Sequence, residues 1–265
     1  IGLIGGDAVI GLSTDELTEL AEDTTASRIA IRDLAIAETK GLNGGVSMAG
    51  AVHLANRAGI KVCATTGLGG VHRTSSAGMV LQESSDLTAL AAHPLVLVTS
   101  GARPMLDVGA TLERLETLSV PVVGYRTNRY PGFYVVDSGY DLATRVEDPS
   151  QIATMARTQQ ALGLKSAVLV ANPVPADRQL DPTGLDEVLE RAWAGHGAWT
   201  DPAERVADLK LALRHELVWA YRGGFGAVQL LPEALRLKAR GRPGFVGYSD
   251  NTVLHALWWR NGWDE

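Results

Sequence analysis

IKVCA at residues 60–64 and LVLV at residues 95–98 are two short apolar runs, and they decide the fold class. The first run leads into the glycine-rich loop TGLGGVHR at residues 66–73, and the second leads into TSGARP at residues 99–104. Strands that end in small-residue turns with polar and cationic side chains are typical of the carboxyl edge of a parallel sheet, where α/β folds bind their ligands. We therefore expect the functional site at this edge.

A repeating strand and helix pattern surrounds the two runs. VPVVGY at residues 120–125 and AVLVA at residues 167–171 predict two more strands, and leucine spacing predicts a helix over residues 105–118. PGFYVV at residues 131–136 predicts an aromatic-rich edge strand. Short links between strand, helix and strand predict an α/β fold, with a mostly parallel sheet and helices on both faces.

The composition narrows the class of protein. The chain has 265 residues, of which 46% are hydrophobic and 20% charged, with a net charge of -6 and no basic patch that would indicate nucleic acid. No apolar run reaches the roughly 18 residues of a membrane span. The single cysteine, Cys63, lies in an apolar strand and predicts a core residue in a cytoplasmic protein. Because the chain starts at Ile1, in what reads as a strand, we expect the amino-terminal part of a larger domain to be missing.

Three stretches carry groups that could bind an anion or a cation. The glycine-rich run at residues 40–48 enters a helix, whose free backbone N–H groups can bind phosphate, although close packing would select the same glycines. QESSD at residues 82–86 could bind a divalent ion or a sugar phosphate, or only begin a helix. Arg28 and Arg32 could hold an anion or lie in solvent. These alternatives stay open.

Five motifs, in order, resemble the pseudouridine-5'-phosphate glycosidase family over about residues 1–190. They are GLGGVHR at 67–73, SSDL at 84–87, LD at 106–107 with TLERLET at 111–117, VPVVGY at 120–125, and ANPVP at 171–175. The resemblance implies an α/β/α fold, usually trimeric, with a bound manganese ion. It also implies cleavage of the carbon–carbon glycosidic bond of pseudouridine 5'-phosphate to uracil and ribose 5-phosphate, with the opened ribose held as a Schiff base on a lysine.

The resemblance also assigns residues by position. Ser84, Ser85 and Asp86 fall on the family's contacts with substrate and phosphate. Ser47 and Met48 fall on its backbone contact with the substrate.

Four positions depart from the family pattern or stand in for it. Arg103 occupies the place of the catalytic lysine and Arg28 that of the substrate-binding lysine. A guanidinium can clamp a phosphate, but it stays protonated and cannot form an imine. Gln82 replaces the metal-binding acid, with Glu83 beside it as a substitute, and a neutral amide binds manganese less well. Since the general-acid glutamate would lie in the missing amino-terminal part, we expect the reaction to be impaired.

From about residue 191 the pattern changes. RGGFG at residues 222–226 and GYSDNT at residues 247–252 resemble the amino-terminal half of a serine LD-carboxypeptidase. A strand, a sharp turn and a helix would expose Ser249 as a nucleophile, and the glycine loop could offer N–H groups as an oxyanion hole. We therefore expect a truncated glycosidase-like domain at residues 1–190 and a partial LD-carboxypeptidase-like α/β segment at residues 191–265.

Three functions stay open at this point. The first is a pseudouridine-5'-phosphate glycosidase, and the second is a peptidase fragment with Ser249 as nucleophile. The third is an inactive sugar-phosphate binding module, which the arginines at 28 and 103 favour. For the first and third, the expected partner is a small-molecule nucleoside or sugar phosphate, bound by a homo-oligomer such as a trimer.

Overall fold

The computed structural model describes residues 1–73, 82–185, 187, 189, 206, 209–214, 217–219, 236–237 and 244–246. The chain packs as two compact units, Ile1–Pro182 and Thr183–Glu265. Within the described ranges, no helix is both long and apolar enough to cross a membrane.

The strands and helices of the described residues have the following bounds. The strands are Gly2–Ile4 (β1), Asp7–Val9 (β2), Ser27–Ile29 (β3), Gly44–Val46 (β4), Val62–Thr65 (β5), Val71–His72 (β6), Val96–Thr99 (β7), Leu106–Asp107 (β8), Val122–Tyr125 (β9), Arg145–Val146 (β10), Val168–Ala171 (β11), Leu217–Trp219 (β12) and Gly244–Val246 (β13). The helices are Thr14–Glu22 (α1), Leu34–Lys40 (α2), Met48–Arg57 (α3), Ser85–Ala92 (α4), Val108–Thr117 (α5) and Pro149–Ala161 (α6).

Five strands form the central sheet of the first unit, in the order β10-β9-β11-β7-β5. All four pairings are parallel, and Leu169 of β11 lies between Leu97 of β7 and Val122 of β9. All four residues of β11 are buried, because a central parallel strand is covered on both faces. The four strands predicted at residues 60–64, 95–98, 120–125 and 167–171 are confirmed within two residues at either end.

Helices cover both faces of this sheet. Helices α3, α4 and α5 pack on the face that carries Leu97 and Leu169. Helix α6 packs on the opposite face, against Val96, Val168 and Val170. Successive side chains of a strand point to opposite faces, so each strand supplies both cores. The α/β/α prediction is confirmed.

A smaller sheet precedes the central one. Its order is β2-β1-β4-β3, with β1 antiparallel to both neighbours and β3 parallel to β4. Leu3, Ile29, Ala37 and Leu54 form its buried core. This sheet leads the chain into α3, since Ser47 at the start of that helix donates its N–H to the carbonyl of Ile29 at 2.8 Å.

The predicted edge strand at residues 131–136 is wrong. The segment is a bend in which Phe133 has a φ of 67°, and the N–H of Gly132 bonds the carbonyl of Val135. A strand requires negative φ at every residue except glycine, so aromatic composition alone misled the prediction. The edge of the sheet on this side is β10.

The predicted helix over residues 105–118 begins later than its leucine spacing indicates. Leu106–Asp107 pairs with β6 as an antiparallel strand. Asp107 then ends the strand and caps α5, because its carboxylate accepts the N–H of Ala110 at 2.9 Å.

Two histidines join α3 to the end of α4. Nδ1 of His53 and Nε2 of His93 are 3.2 Å apart, and the rings meet edge to face. One nitrogen must donate and the other accept, so at least one ring is neutral. Burial, and then the charge of His53, lower the pKa of His93 below its ordinary 6.5.

Acid should therefore weaken the fold through His93. The pKa of His93 is lower in the folded chain than in the unfolded chain, so the unfolded chain takes up the proton first as the pH falls. The stability that neutral His93 contributes is therefore complete above a pH of about 6.5 and is lost as the pH falls below it. Urea unfolding at about pH 7.5 and about pH 5 should show a smaller loss of stability for His93→Gln than for the wild type. An equal loss in both proteins would contradict this.

Candidate functional site

An open cavity of about 440 Å³ lies at the carboxyl ends of β5, β7 and β11. Its lining is mixed: the hydroxyl and amide residues are Thr65, Thr66, Thr99, Ser100 and Asn172, and the apolar residues are Ala64, Val98, Pro173, Val174 and Pro175. The sheet edge predicted from the two apolar runs therefore carries a cavity of ligand size.

The loop that follows β5, residues 67–73, is held in place by its neighbours, and we call it the glycine loop. The N–H of Leu68 donates to the carbonyl of Gly101 at 2.9 Å, and the N–H of Arg103 donates back to Leu68 at 3.2 Å. The N–H of Val71 donates to Oγ1 of Thr111 at 3.0 Å. The glycine loop is thus bonded both to the turn after β7 and to α5.

Two glycines of this loop have no room for a side chain. A Cβ on Gly69 would lie 2.6 Å from Oδ2 of Asp86, and a Cβ on Gly70 would collide with Thr111. Close packing therefore explains these glycines. The motif analysis assigned no role to Thr111, although a polar residue on the apolar side of a predicted helix is a signal of one. Thr111 is fully buried, and its hydroxyl also donates to the carbonyl of Asp107.

Asp86 connects the glycine loop to the start of α3. Its side chain is buried; Oδ2 accepts the N–H of Gly69 at 2.9 Å and Oδ1 accepts the N–H of Ala49 at 3.1 Å. These two backbone bonds fix the orientation of the carboxylate. In this structure Asp86 positions the loop, and its predicted contact with substrate stays a prediction.

The neighbouring candidates lie at two helix starts. Ser84 caps α4 by accepting the N–H of Asp86 at 3.2 Å, and Ser85 is the exposed first residue of that helix. Ser47 is buried and caps α3 by accepting the N–H of Gly50 at 3.1 Å, with half-buried Met48 as the next residue. Asp86 links the two starts through Ala49, so these four predicted residues are brought together. Their substrate contacts stay predictions.

The two arginines differ in their surroundings. Arg103 is half-buried, and its backbone is fixed by the bond to Leu68. Its Cγ would lie 3.2 Å from a Cβ on Gly67, so the side chain runs along the glycine loop. Arg28 is exposed on β3, one residue before the carbonyl that accepts from Ser47. The backbone bond between Ser47 and Ile29 connects this strand to the other candidates, and no described side-chain contact of Arg28 does so.

The surroundings of the two predicted metal ligands, Gln82 and Glu83, differ from those of a metal site. Gln82 is exposed, and both carboxylate oxygens of Glu83 accept from the guanidinium of Arg114, at 2.7 and 3.0 Å. Among the described residues, no three His, Cys, Asp or Glu side chains are grouped to hold a metal ion. A neutral amide beside an ion-paired carboxylate fits manganese poorly.

Comparison with known proteins identifies the family of the first unit. The indigoidine synthase A like protein family matches residues 1–199. The chain belongs to this family. A relative, the pseudouridine-5'-phosphate glycosidase of Saccharopolyspora erythraea, is 51% identical over 193 residues, which are 73% of the chain and 63% of the relative. The resemblance drawn from the five motifs is confirmed.

Two solved structures of similar proteins support the same assignment. An indigoidine synthase A-like protein from Thermotoga maritima has a TM-score of 0.66 and 34% identity, over 71% of the chain and 62% of that protein. The prealnumycin C-glycosynthase AlnA, in complex with ribulose 5-phosphate, has a TM-score of 0.68 and 32% identity, over 73% and 63%. The chain thus spans less than two thirds of each of these family relatives.

A second family matches the rest of the chain. The LD-carboxypeptidase N-terminal domain matches residues 171–264, so that the two matches overlap at residues 171–199. This confirms the second resemblance. Strands β12 and β13 pair in parallel there, and β13 overlaps the strand predicted before Ser249. Ser249 itself and the RGGFG loop at 222–226 lie outside the described residues.

Replacing Asp86 by asparagine should destabilise the first unit by about 1–3 kcal/mol. The amide keeps the shape, but its NH2 group would face one of the two backbone N–H donors, and that donor would lose its partner. Denaturant unfolding measures the loss. Asp177→Asn, at an exposed aspartate, is the matched control and should stay close to the wild type. Equal stability of the two variants would contradict the positioning role.

Proposed function

We propose that the first unit binds pseudouridine 5'-phosphate at the carboxyl edge of the central sheet and acts in its cleavage to uracil and ribose 5-phosphate. Family membership and the name of the Saccharopolyspora relative support the substrate, and the ribulose 5-phosphate in the AlnA complex supports a sugar phosphate as ligand. The observation that carries the proposal is a half-buried arginine, Arg103, fixed on the glycine loop at this edge.

Arg103 supplies the charge that such a ligand needs. A guanidinium offers several donors in a planar fork, which suits the oxygens of a phosphate. The cavity at the same edge adds the hydroxyls of Thr66 and Ser100 and the amide of Asn172, which suit the hydroxyls of a ribose. Together they match the two polar parts of a nucleoside phosphate.

We propose in addition that the reaction is impaired, because an arginine cannot supply the reactive amine. The lysines of the first unit are Lys40, Lys61 and Lys165. Lys61 and Lys165 come just before β5 and β11, at the amino edge of the sheet, opposite the cavity. Lys40 is exposed at the end of α2. We propose that none of the three replaces the missing amine.

Arg103→Lys should restore the imine-forming step. A lysine amine can lose its proton and form an imine with the opened ribose, which a guanidinium cannot. We expect uracil release from pseudouridine 5'-phosphate, followed by chromatography with added manganese, to rise at least tenfold over the wild type. Borohydride should trap ribose 5-phosphate on the variant only.

Arg157→Lys, at an exposed arginine on α6, controls for the added lysine and should behave as the wild type does. Rapid uracil release by the wild type would refute the impairment, and no borohydride adduct on Arg103→Lys would refute its explanation by the missing amine. Wild-type binding of ribose 5-phosphate without any uracil release would favour the third function, an inactive binding module.

The remaining family expectations are part of this proposal. They are a bound manganese ion, assembly as a homotrimer, and a place in the cytoplasm and in nucleoside catabolism. The surroundings of Gln82 and Glu83 support the metal poorly, so no step is assigned to it.

The second candidate function is a serine peptidase activity of the second unit, and the match to the LD-carboxypeptidase N-terminal domain favours it. A fluorophosphonate probe should label the wild type at Ser249 if that hydroxyl is an activated nucleophile. Ser249→Ala should abolish the labelling, and Ser13→Ala, at the cap of α1, should leave it unchanged. No labelling of the wild type would remove the support for this function.

A further inference from the structure

The segment at residues 130–136 packs directly onto the turn that carries Arg103. The N–H of Phe133 donates to the carbonyl of Ser100 at 3.0 Å, and the ring of Tyr130 is fully buried. Gly101, with a φ of 111°, makes this possible because a Cβ there would collide with the carbonyl of Pro131. The segment is therefore anchored at the carboxyl edge of the sheet, where the cavity lies.

Phe133 adopts an unfavourable backbone conformation in this anchored segment. A φ of 67° is uncommon for a bulky residue and costs about 1 kcal/mol or more. Tyr130 already supplies the fully buried aromatic anchor, and the ring of Phe133 is only half-buried. Burial of apolar surface alone therefore accounts poorly for a phenylalanine at this position.

The strained backbone holds the Phe133 ring beside Arg103. A Cβ on Gly67 would collide with this ring, and the same Cβ would lie 3.2 Å from Cγ of Arg103. The ring of Tyr134 meets that of Phe133 edge to face, with 4.4 Å between centroids. Burial raises the pKa of Tyr134, and the nearby charge of Arg103 offsets part of that rise. Both half-buried rings thus lie next to the arginine.

We propose that the ring of Phe133, held by the ring of Tyr134 packed edge to face against it, forms an aromatic wall on which the planar base of the ligand stacks while Arg103 binds its sugar phosphate. This inference rests on the proposed function and accounts for the base, which Arg103 and the cavity hydroxyls leave unexplained. Stacking suits a pyrimidine because every base has a π-face, and each stacked base contributes about fivefold to a hundredfold in affinity. The wall thus selects nucleoside phosphates over bare sugar phosphates.

Phe133→Gly provides the sharpest test, because glycine accepts a φ of 67° while the ring is removed. By titration calorimetry on the full chain, this variant should bind pseudouridine 5'-phosphate about tenfold more weakly than the wild type. Its affinity for ribose 5-phosphate should be unchanged. Phe133→Tyr, which keeps an aromatic ring, should bind pseudouridine 5'-phosphate as the wild type does. Tyr140→Leu, at an exposed tyrosine of a nearby loop, is the control and should change neither affinity.

Saturation-transfer NMR with uracil alone separates this inference from the proposed function. Binding of uracil that is lost in Phe133→Gly, and in Tyr134→Leu as a second variant, supports the wall. If the wild type binds ribose 5-phosphate but not uracil, the wall is overturned and the proposed function stands. The same holds if Phe133→Gly loses affinity for both ligands equally. Uracil binding without ribose 5-phosphate binding leaves the wall and refutes the sugar-phosphate function, and binding of neither overturns both.

Discussion

A single buried carboxylate holds the candidate site together. Asp86 accepts one N–H from the glycine loop and one from the first turn of α3, and so it ties the carboxyl edge of the sheet to the helix that the small amino-terminal sheet delivers. A buried charge is stable only when its oxygens are satisfied, and both oxygens are satisfied here. This bond pair connects the helix starts at Ser47 and Ser84 to the glycine loop, to which Arg103 is bonded through Leu68.

In the proposed function, Arg103 separates the binding of a ligand from the chemistry on it. Its guanidinium keeps the positive charge that attracts a phosphate, and the bond from its N–H to Leu68 keeps the geometry of the loop. What the substitution removes is only the capacity to lose a proton. Under the proposed function, ligand binding and the covalent step depend on different properties of residue 103, which is why binding and turnover must be measured apart.

The central sheet was predictable from the sequence, and the details of the site were not. Apolar runs of four to six residues predicted four parallel strands, of which β11, at the centre of the sheet, is buried on both faces and β5, at its edge, is partly exposed. The bend at residues 131–136 was missed because it depends on the φ of Gly101 and on the close approach of Gly101 to Pro131. Local propensities do not show a contact between residues so far apart in the sequence. For the same reason the sequence could offer Glu83 as a metal ligand but could not show Arg114, 31 residues away, already bonded to it.

The alternation of β11 has a consequence for how insertions and deletions are tolerated. Val168 and Val170 pack under α6, whereas Leu169 packs under the three helices of the other side. Adding one residue inside this strand would move every residue on one side of the insertion to the opposite layer, and no adjustment of a single helix could compensate. Insertions and deletions are therefore confined to the connections. The number of residues in this strand is as strictly constrained as their types.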